Sequence, residues 1–488
     1  MRIPPGSCRR LAPFLLMFCS VLALACDTLP AGQTFWIRLT TPVSSYSSKA
    51  GDRVDAVLIE DAVCGDSVVL PLGAKISGTV RSVRKVGWGI RHETAALHLE
   101  FYRAIPPNGQ PMAVSATVLE VENAREQVTK GVIQGIRSSD TPQGRINSRL
   151  GHLPTWNPYS DMGLIVYKAT FPIFPEPEIY FPAGADLHIK LMEPLQAASA
   201  PGSPHSQAED LGSTLELDRL AAQAPQRSTT EKLVEADVVN LAFVGTRGQV
   251  ESAFEQAGWS TSDVFSKRSF FRDFYAFLNN SGYAQAPMRT LLLDGRPPDM
   301  NWQNSLNSYA RRDHLRIWQW SGGTDSETVW LSSSTHDTRA TLSLEHRQFV
   351  HHISPDIDDE RSKVIRDLNL AGCVRSVHLV PRPKLANVSQ NATGDLVTTD
   401  GDLAVVELKG CDPRVPGLTS GNASPQFKPS NHVFRYLRRQ ILTFRSDIWR
   451  ANIIYGAYDL VHMGVTALRH HSAGNVSREA SVALAGSN

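Results

Sequence analysis

The sequence predicts an α+β, multi-domain chain: an N-terminal antiparallel β sandwich or barrel, a linker, then an α/β domain and a C-terminal helical segment. Three observations lead there. A length of 488 residues suits roughly two to three domains. From Phe35 to Leu195 short β-rich runs succeed one another, divided by Gly and Pro turns. Beyond "QAASAPGSPHSQAEDLGST" (Gln196 to Thr214), a Ser/Pro/Ala/Gly-rich stretch typical of a flexible connection, strands begin to alternate with helices.

Composition narrows the function classes. Hydrophobic residues make up 42% of the chain and the net charge is +1. The chain can therefore build real cores, and no overall field favours nucleic acid as a partner.

The N-terminus has the layout of a secretory signal. Arg9 and Arg10 precede an apolar run from Leu11 to Ala25, too short to span a bilayer as a helix, and Ala23-Leu24-Ala25 fits a small-x-small cleavage site. Lipid attachment at Cys26 and an uncleaved anchor are the alternatives to simple cleavage. All three place the mature chain across the inner membrane, in the periplasm or attached to the envelope. The mature chain is expected to have no transmembrane span, because Asp447, Arg450 and Asp459 interrupt its most apolar later stretch. The expected order is a signal peptide (1–25), a β-rich domain (34–195), a flexible linker (196–232), an α/β domain (233–412), a loose segment (413–431), and a helical segment with a tail (432–488).

Within the β-rich part, "TFWIRLTTPVSS", "DRVDAVLIED", "DSVVLPLGAKISGTVRSV", "TAALHLEFYRAI" and "MAVSATVLEV" read as strands. In the α/β part, "DVVNLAFVG" reads as a buried strand and "TRGQVESAFEQAGW" as a helix opened by a Thr246/Gln249 capping box. Gly245 and Gly248 at that turn offer free amides to an anion, but the cap explains them equally well. Further strands are "RTLLLDG", "HLRIWQW", "TVWLSSST", "ATLSLEH" and "DLAVVELKG". Cys373 and Cys411 flank one run of strands, and the sequence leaves their pairing open. Arg438 and Arg439 read as the wet face of an amphipathic helix.

Chemistry concentrates in "HHISPDIDDER", His351 to Arg361. Ser354 is a good N-cap, Pro355 suits the first helical position, and Asp356, Asp358, Asp359 and Glu360 favour a helix N-terminus. Arg361 lies on the apolar stripe of Ile357, Val364 and Leu368, so it needs a partner, with Asp358 or Asp337 in reach. Period-two alternation puts His314, Arg316, Trp318 and Trp320 on one strand face and carries the Trp330 face towards His336. Of the two adjacent histidines, His352 is the one expected to join the cluster. His314, His336, Asp337 and His352 thus form a candidate ligand set for a divalent metal, zinc or manganese. Arg316 and Arg361 complete a candidate catalytic group by binding an anion such as phosphate. No HExxH or GxSxG motif supports either.

Two resemblances follow from these residues. "AGDRVDAVLIEDAV" with "VLPLGAKISGTV" resembles, over about residues 36–120, the periplasmic barrel unit of TrbI-type secretion proteins. "DVVNLAFVGTRGQVESAFEQAGW", "APMRTLLLDGRPPDMNWQ", "RRDHLRIW", "VWLSSSTHDT" and "HHISPDIDDERSKVIRDL" occur in the order seen in the C-terminal domain of LssY-type proteins. That likeness covers about residues 235–412, and the residues matching its pattern include His314, Arg316, His336, Asp337, His351, His352, Asp358, Glu360 and Arg361. It implies a bacterial envelope setting and no defined reaction. The chain lacks the membrane phosphatase and DedA-like regions that LssY resembles, so no lipid-phosphatase role carries over. The expected function is a non-catalytic envelope or membrane-associated module with a buried His/Asp/Arg network and envelope or membrane components as partners. The alternative is a metal-dependent phosphoester hydrolase.

Overall fold

The computed structural model describes residues 28–142, 176–196, 215–412 and parts of 433–442, apart from short internal stretches. The expected signal peptide, the first half of the linker, the loose segment and most of the C-terminal helical segment lie outside the described residues.

Six antiparallel strands close into a barrel. They are β1 (Thr34–Leu39), β2 (Arg53–Leu58), β3 (Lys75–Arg84), β4 (Ala96–Ile105), β5 (Met112–Val121) and β6 (Asp186–Leu191), in the order β4-β3-β2-β1-β6-β5, with β5 returning to β4. Alternation along β1 sends Phe35, Ile37 and Leu39 into the barrel core with Val54, Leu58, Leu99, Phe101 and Leu187, and turns Trp36 and Arg38 outward. Gly78 sits where the β3–β4 register shifts. A Cβ there would stand 2.4 Å from the Glu100 carbonyl oxygen, so only glycine lets the two backbones close at this bend. The turn motifs act as read: the Gly51 amide bonds the Val80 carbonyl and the Gly73 amide the Leu58 carbonyl, both glycines at positive φ.

The second unit is a mixed sheet. Its strands are β7 (Leu241–Val244), β8 (Trp259–Thr261), β9 (Met300–Asn304), β10 (Arg312–Trp320), β11 (Val329–Ser343), β12 (Gln348–Ile353), β13 (Val374–Pro381) and β14 (Asp402–Leu408), in the order β8-β9-β10-β11-β7-β14-β13, with β12 beside β11. Only β7 and β14 pair in parallel among them. Among the described residues the helices that accompany this sheet are α1 (Leu215–Gln223), α2 (Arg247–Gln256), α3 (Lys267–Asn279) and α4 (Asp358–Leu370). α2 and α4 cover one face through Val250, Phe254, Val364 and Leu368 against Leu315, Ile317 and Trp330. α1 covers the other through Leu220 and Ala221 near Trp318 and Leu331. α1 occupies the second half of the expected linker, its acids Glu216 and Asp218 in the first turn.

α2 opens with the reciprocal Thr246–Gln249 capping box, as read. α4 begins later than Ser354 and Pro355 suggest. Its N-cap is Ile357, without a side-chain cap, because Pro355 and Asp356 are drawn to Thr398: the Thr398 amide bonds the Pro355 carbonyl and Asp356 bridges Thr398. Arg438 is buried rather than wet. Its guanidinium reaches the Gly87 carbonyl at 2.6 Å and Glu176 at 2.6 Å, so this short helical piece docks on the barrel.

Cys373 and Cys411 form a disulfide across 38 residues, and Cys64 is disulfide-bonded too. Constraining a loop of that length stabilises by about 4 kcal/mol in the chain-entropy picture. Cys373→Ser is therefore expected to cost about 2–4 kcal/mol in urea unfolding under oxidising conditions. Adding a reductant should lower wild-type stability by more than the variant's, because the variant no longer has the Cys373–Cys411 bond to lose, although reduction of the bridge at Cys64 affects both.

Candidate functional site at the seam between barrel and sheet

α4 lies between the two units and serves both. Val364 and Leu368 face its own sheet. Glu360, Lys363, Asp367 and Leu370, spaced at helical intervals, form a second stripe facing the outer surface of β1, β6 and the end of β5. The apolar part of this seam is small: Leu370 packs with Val57 and Ile59.

The rest is ionic. Arg38 donates to both oxygens of its cross-strand neighbour Asp186 at 2.6 and 2.7 Å, and to Asp367 of α4 at 2.8 Å. The other Asp367 oxygen accepts from the Trp259 indole at 3.0 Å. Lys363 lies 2.9 Å from Glu122 and 3.2 Å from Asp367, and 3.8 Å from both Asp186 and Asp313. Asn123 donates to Asp313, which also bonds His336 Nδ1 at 2.6 Å. At the rim Arg366 pairs with Glu60 at 3.3 Å and lies over the Trp36 ring. Arg38, Asp186, Asp313, Glu360, Lys363 and Asp367 are all at most 5% exposed.

Burial and charge divide the protons unevenly. Burial pushes Asp186 up, but Arg38 and then Lys363 outweigh it and hold the carboxyl below its usual range. Asp313 is likewise pushed up by burial and pulled well down by Lys363 and His336. Burial, reinforced by Asp313 and Asp186 against Lys363, raises Glu122 to about 8. Glu360 is raised well above the ordinary value by burial and by Asp313. Lys363 keeps its proton because Asp367 and Glu122 outweigh burial. One ammonium shared among several carboxylates cannot fully compensate each, which is how Lys363 and Glu122 can both be shifted upward. His336 is raised because the Asp313 contact exceeds the cost of burial. Asp313, His336 and Glu360 each bring one potential ligand atom within 4.8 Å of the others.

The six residues singled out in the sequence do not share one site; only His314 and Asp337 come together. β10 pairs with β11 so that Asp313 opposes His336, and Arg312 opposes Asp337. Alternation then puts His336 on the α4 face with Asp313, and Asp337 on the opposite face with Arg312 and His314. Arg312 bonds Asp337 at 3.1 Å and His314 Nδ1 stands 3.8 Å from it. His351, rather than His352, completes that group at 3.4 Å from Asp337. His352 turns to Asp395 at 2.7 Å, after a register shift between Asp337 and Arg339. Arg316 pairs with Asp237 at 3.0 Å. Arg361 is held by Asp358 at 3.1 Å, as read, and more closely by Asp400 at 2.6 Å. The ligand set His314, His336, Asp337 and His352 is thus divided between two sheet faces and a separate pair at Asp395. Sequence reasoning passed over Asp313, Lys363, Asp367, Arg38, Asp186 and Glu122. Asp313 was accessible from the same alternation that favoured His314, as the acid facing the other way.

Asp186 allows a pH test. Its folded value lies below the ordinary 3.8, so its contribution is complete above that value and is lost as the pH falls through the lower, folded one. Asp186→Asn is expected to cost about 3–5 kcal/mol near neutrality, since Arg38 loses a buried partner. In urea unfolding over a pH series, the gap to wild type should shrink once the pH drops below 3.8.

Comparison with curated proteins finds none that matches. Among solved structures, ComB10 of the Com type IV secretion system of Helicobacter pylori is 16% identical, over 34% of this chain and 89% of that chain, with a TM-score of 0.20, a value too low to support any conclusion. No helix among the described residues is long and apolar enough to cross a membrane. All of the mixed sheet except most of β14, together with α4, falls within the stretch that matches a known family: residues 221–403 fit the family model of the LssY C-terminus.

Proposed function

We propose that this chain is a cell-envelope protein whose barrel and LssY C-terminal-like unit act together as one non-catalytic module, engaging envelope or membrane components. The observation that carries this reading is Arg38, buried and bonded at once to Asp186 of the barrel and Asp367 of α4. A guanidinium so placed ties the two units into one body, and its carboxylates are consumed by it rather than offered to a substrate. Export to the periplasm, with cleavage after Ala25 or lipid attachment at Cys26, is supported by the Arg9/Arg10 and Leu11–Ala25 pattern and by the Cys373–Cys411 disulfide, a bond that persists in oxidising compartments. The competing reading, phosphoester hydrolysis by His314, His336, Asp337 and His352 with Arg316 and Arg361, loses support because these side chains are divided among separate places: His314 and Asp337 share one cluster with Arg312, while His336, His352, Arg316 and Arg361 go to Asp313, Asp395, Asp237 and Asp400.

Calorimetry of the full chain separates the readings. One cooperative transition is expected for wild type. Lys363→Met, which leaves Glu122 and Asp367 without their ammonium, should resolve it into two. Independent melting of the two units in wild type, or turnover of an aryl phosphate ester that disappears in His336→Ala, would overturn the proposal. A fusion of residues 1–40 to a reporter active only outside the cytoplasm is expected to be active.

A further inference from the structure

We infer that the seam binds a divalent metal ion through the Asp313 carboxylate, the His336 imidazole and the Glu360 carboxylate. The three come from β10, β11 and α4, so a bound ion would join the sheet to the helix that meets the barrel. Their ligand atoms lie within 4.8 Å of one another, close enough for modest side-chain shifts to place them around a single ion at ~2.0–2.2 Å.

A second observation points to a ligand. Glu360 is 3% exposed, yet its Oε1 has no hydrogen-bond partner among the described residues. Asn123, whose amide nitrogen holds Asp313, also leaves its buried Oδ1 without one. Acceptors are left over at this spot, and a bound cation would satisfy them together, as a donor or an ordered water could one at a time. Lys363 does not fill the role. Its ammonium is 3.8 Å from Asp313 and is engaged by Glu122 and Asp367.

The donor set of one nitrogen and two oxygens suits zinc or manganese. The side chain of His336 is 26% exposed, which gives an entry path and room for a further water ligand. Asn123 would orient Asp313 from behind, as outer partners of ligands do. One adjustment is needed. His336 Nδ1 and Asp313 Oδ1 are 2.6 Å apart, and two ligands of one ion stand ~3.2 Å apart or more, so the pair must open by less than ~1 Å. A metal here is compatible with the non-catalytic reading and does not depend on it.

The test is equilibrium dialysis of the chelator-treated full chain against zinc chloride and, separately, manganese chloride, with bound metal measured by mass spectrometry. About one ion per chain is expected for wild type, and the same for His314→Ala and His352→Ala, which lie elsewhere. Glu360→Gln, close to isosteric, and His336→Ala should weaken uptake at least ~10-fold. Cobalt(II) added to wild type should give a d–d spectrum with nitrogen and oxygen ligation, so the answer does not depend on any variant folding. Absence of uptake and of the cobalt spectrum in wild type would overturn the inference. Uptake unaffected by Glu360→Gln, or abolished by His314→Ala or His352→Ala, would overturn it as well.

Discussion

The relation between the two units depends on a guanidinium out of reach of water. Arg38 is fixed by its barrel neighbour Asp186 and, 329 residues along the chain, by Asp367 of α4. Removing such charges from water costs several kcal/mol per ion, and only well-made contacts recover it. That recovery exists in one docking pose. The apolar contact at the seam, Leu370 on Val57 and Ile59, is non-directional and would tolerate a shift of the helix by a turn. Arg38 and Lys363 would not, since each would lose partners while remaining buried. The ions therefore supply orientation more than they supply net stability.

α4 can play this part because three of its sides are occupied. Val364 and Leu368 pack on the sheet, and Lys363 and Asp367 meet the barrel. On a third side, Asp358 accepts from the Asp400 amide and from Thr399, while Arg361 grips Asp400. The acid-rich first turn, which favours any helix N-terminus, is divided between these tasks: Asp358 anchors a loop and Glu360 enters the seam. A helix held this way has little freedom to rotate, so the barrel reads a fixed row of charges.

Much of the fold was legible because it is written in local pattern. Alternation in "TFWIRL" and turn glycines such as Gly51 and Gly73 marked the barrel, and Thr246 with Gln249 marked the start of α2. Each of these depends on residues close in sequence. The seam does not. Asn123 and Asp313 are separated by 190 residues, and no periodicity links them. Lys363 and Asp367, four apart on a helix, look in sequence like an ordinary solvated pair. Asp313 was obscured by its neighbour His314, because histidine attracts a catalytic reading and a single aspartate does not. The misplacement of His336 has a geometric origin. Two strands with correctly read alternation still leave open which face of one continues which face of the other, and that is set by the pairing of Asp313 with His336.

The two faces of that strand pair carry similar side chains to opposite ends. On the face away from α4, Asp337 is surrounded by Arg312, His314 and His351. Burial, then Arg316 and Arg312, hold His314 well below the ordinary histidine value; burial and Arg312 do the same to His351. A metal ion there would have to displace the Arg312 guanidinium from a carboxylate it contacts at 3.1 Å. On the α4 face the cation beside Asp313 is Lys363, farther off and drawn away by Glu122 and Asp367. Glu360 adds a second carboxylate where the other face has guanidinium. Histidine and aspartate are common to both places, so their presence alone does not mark a metal centre. What separates the faces is the third group, guanidinium on one and a carboxyl on the other, so a cation would meet less opposition at the seam than at the cluster conspicuous in the sequence.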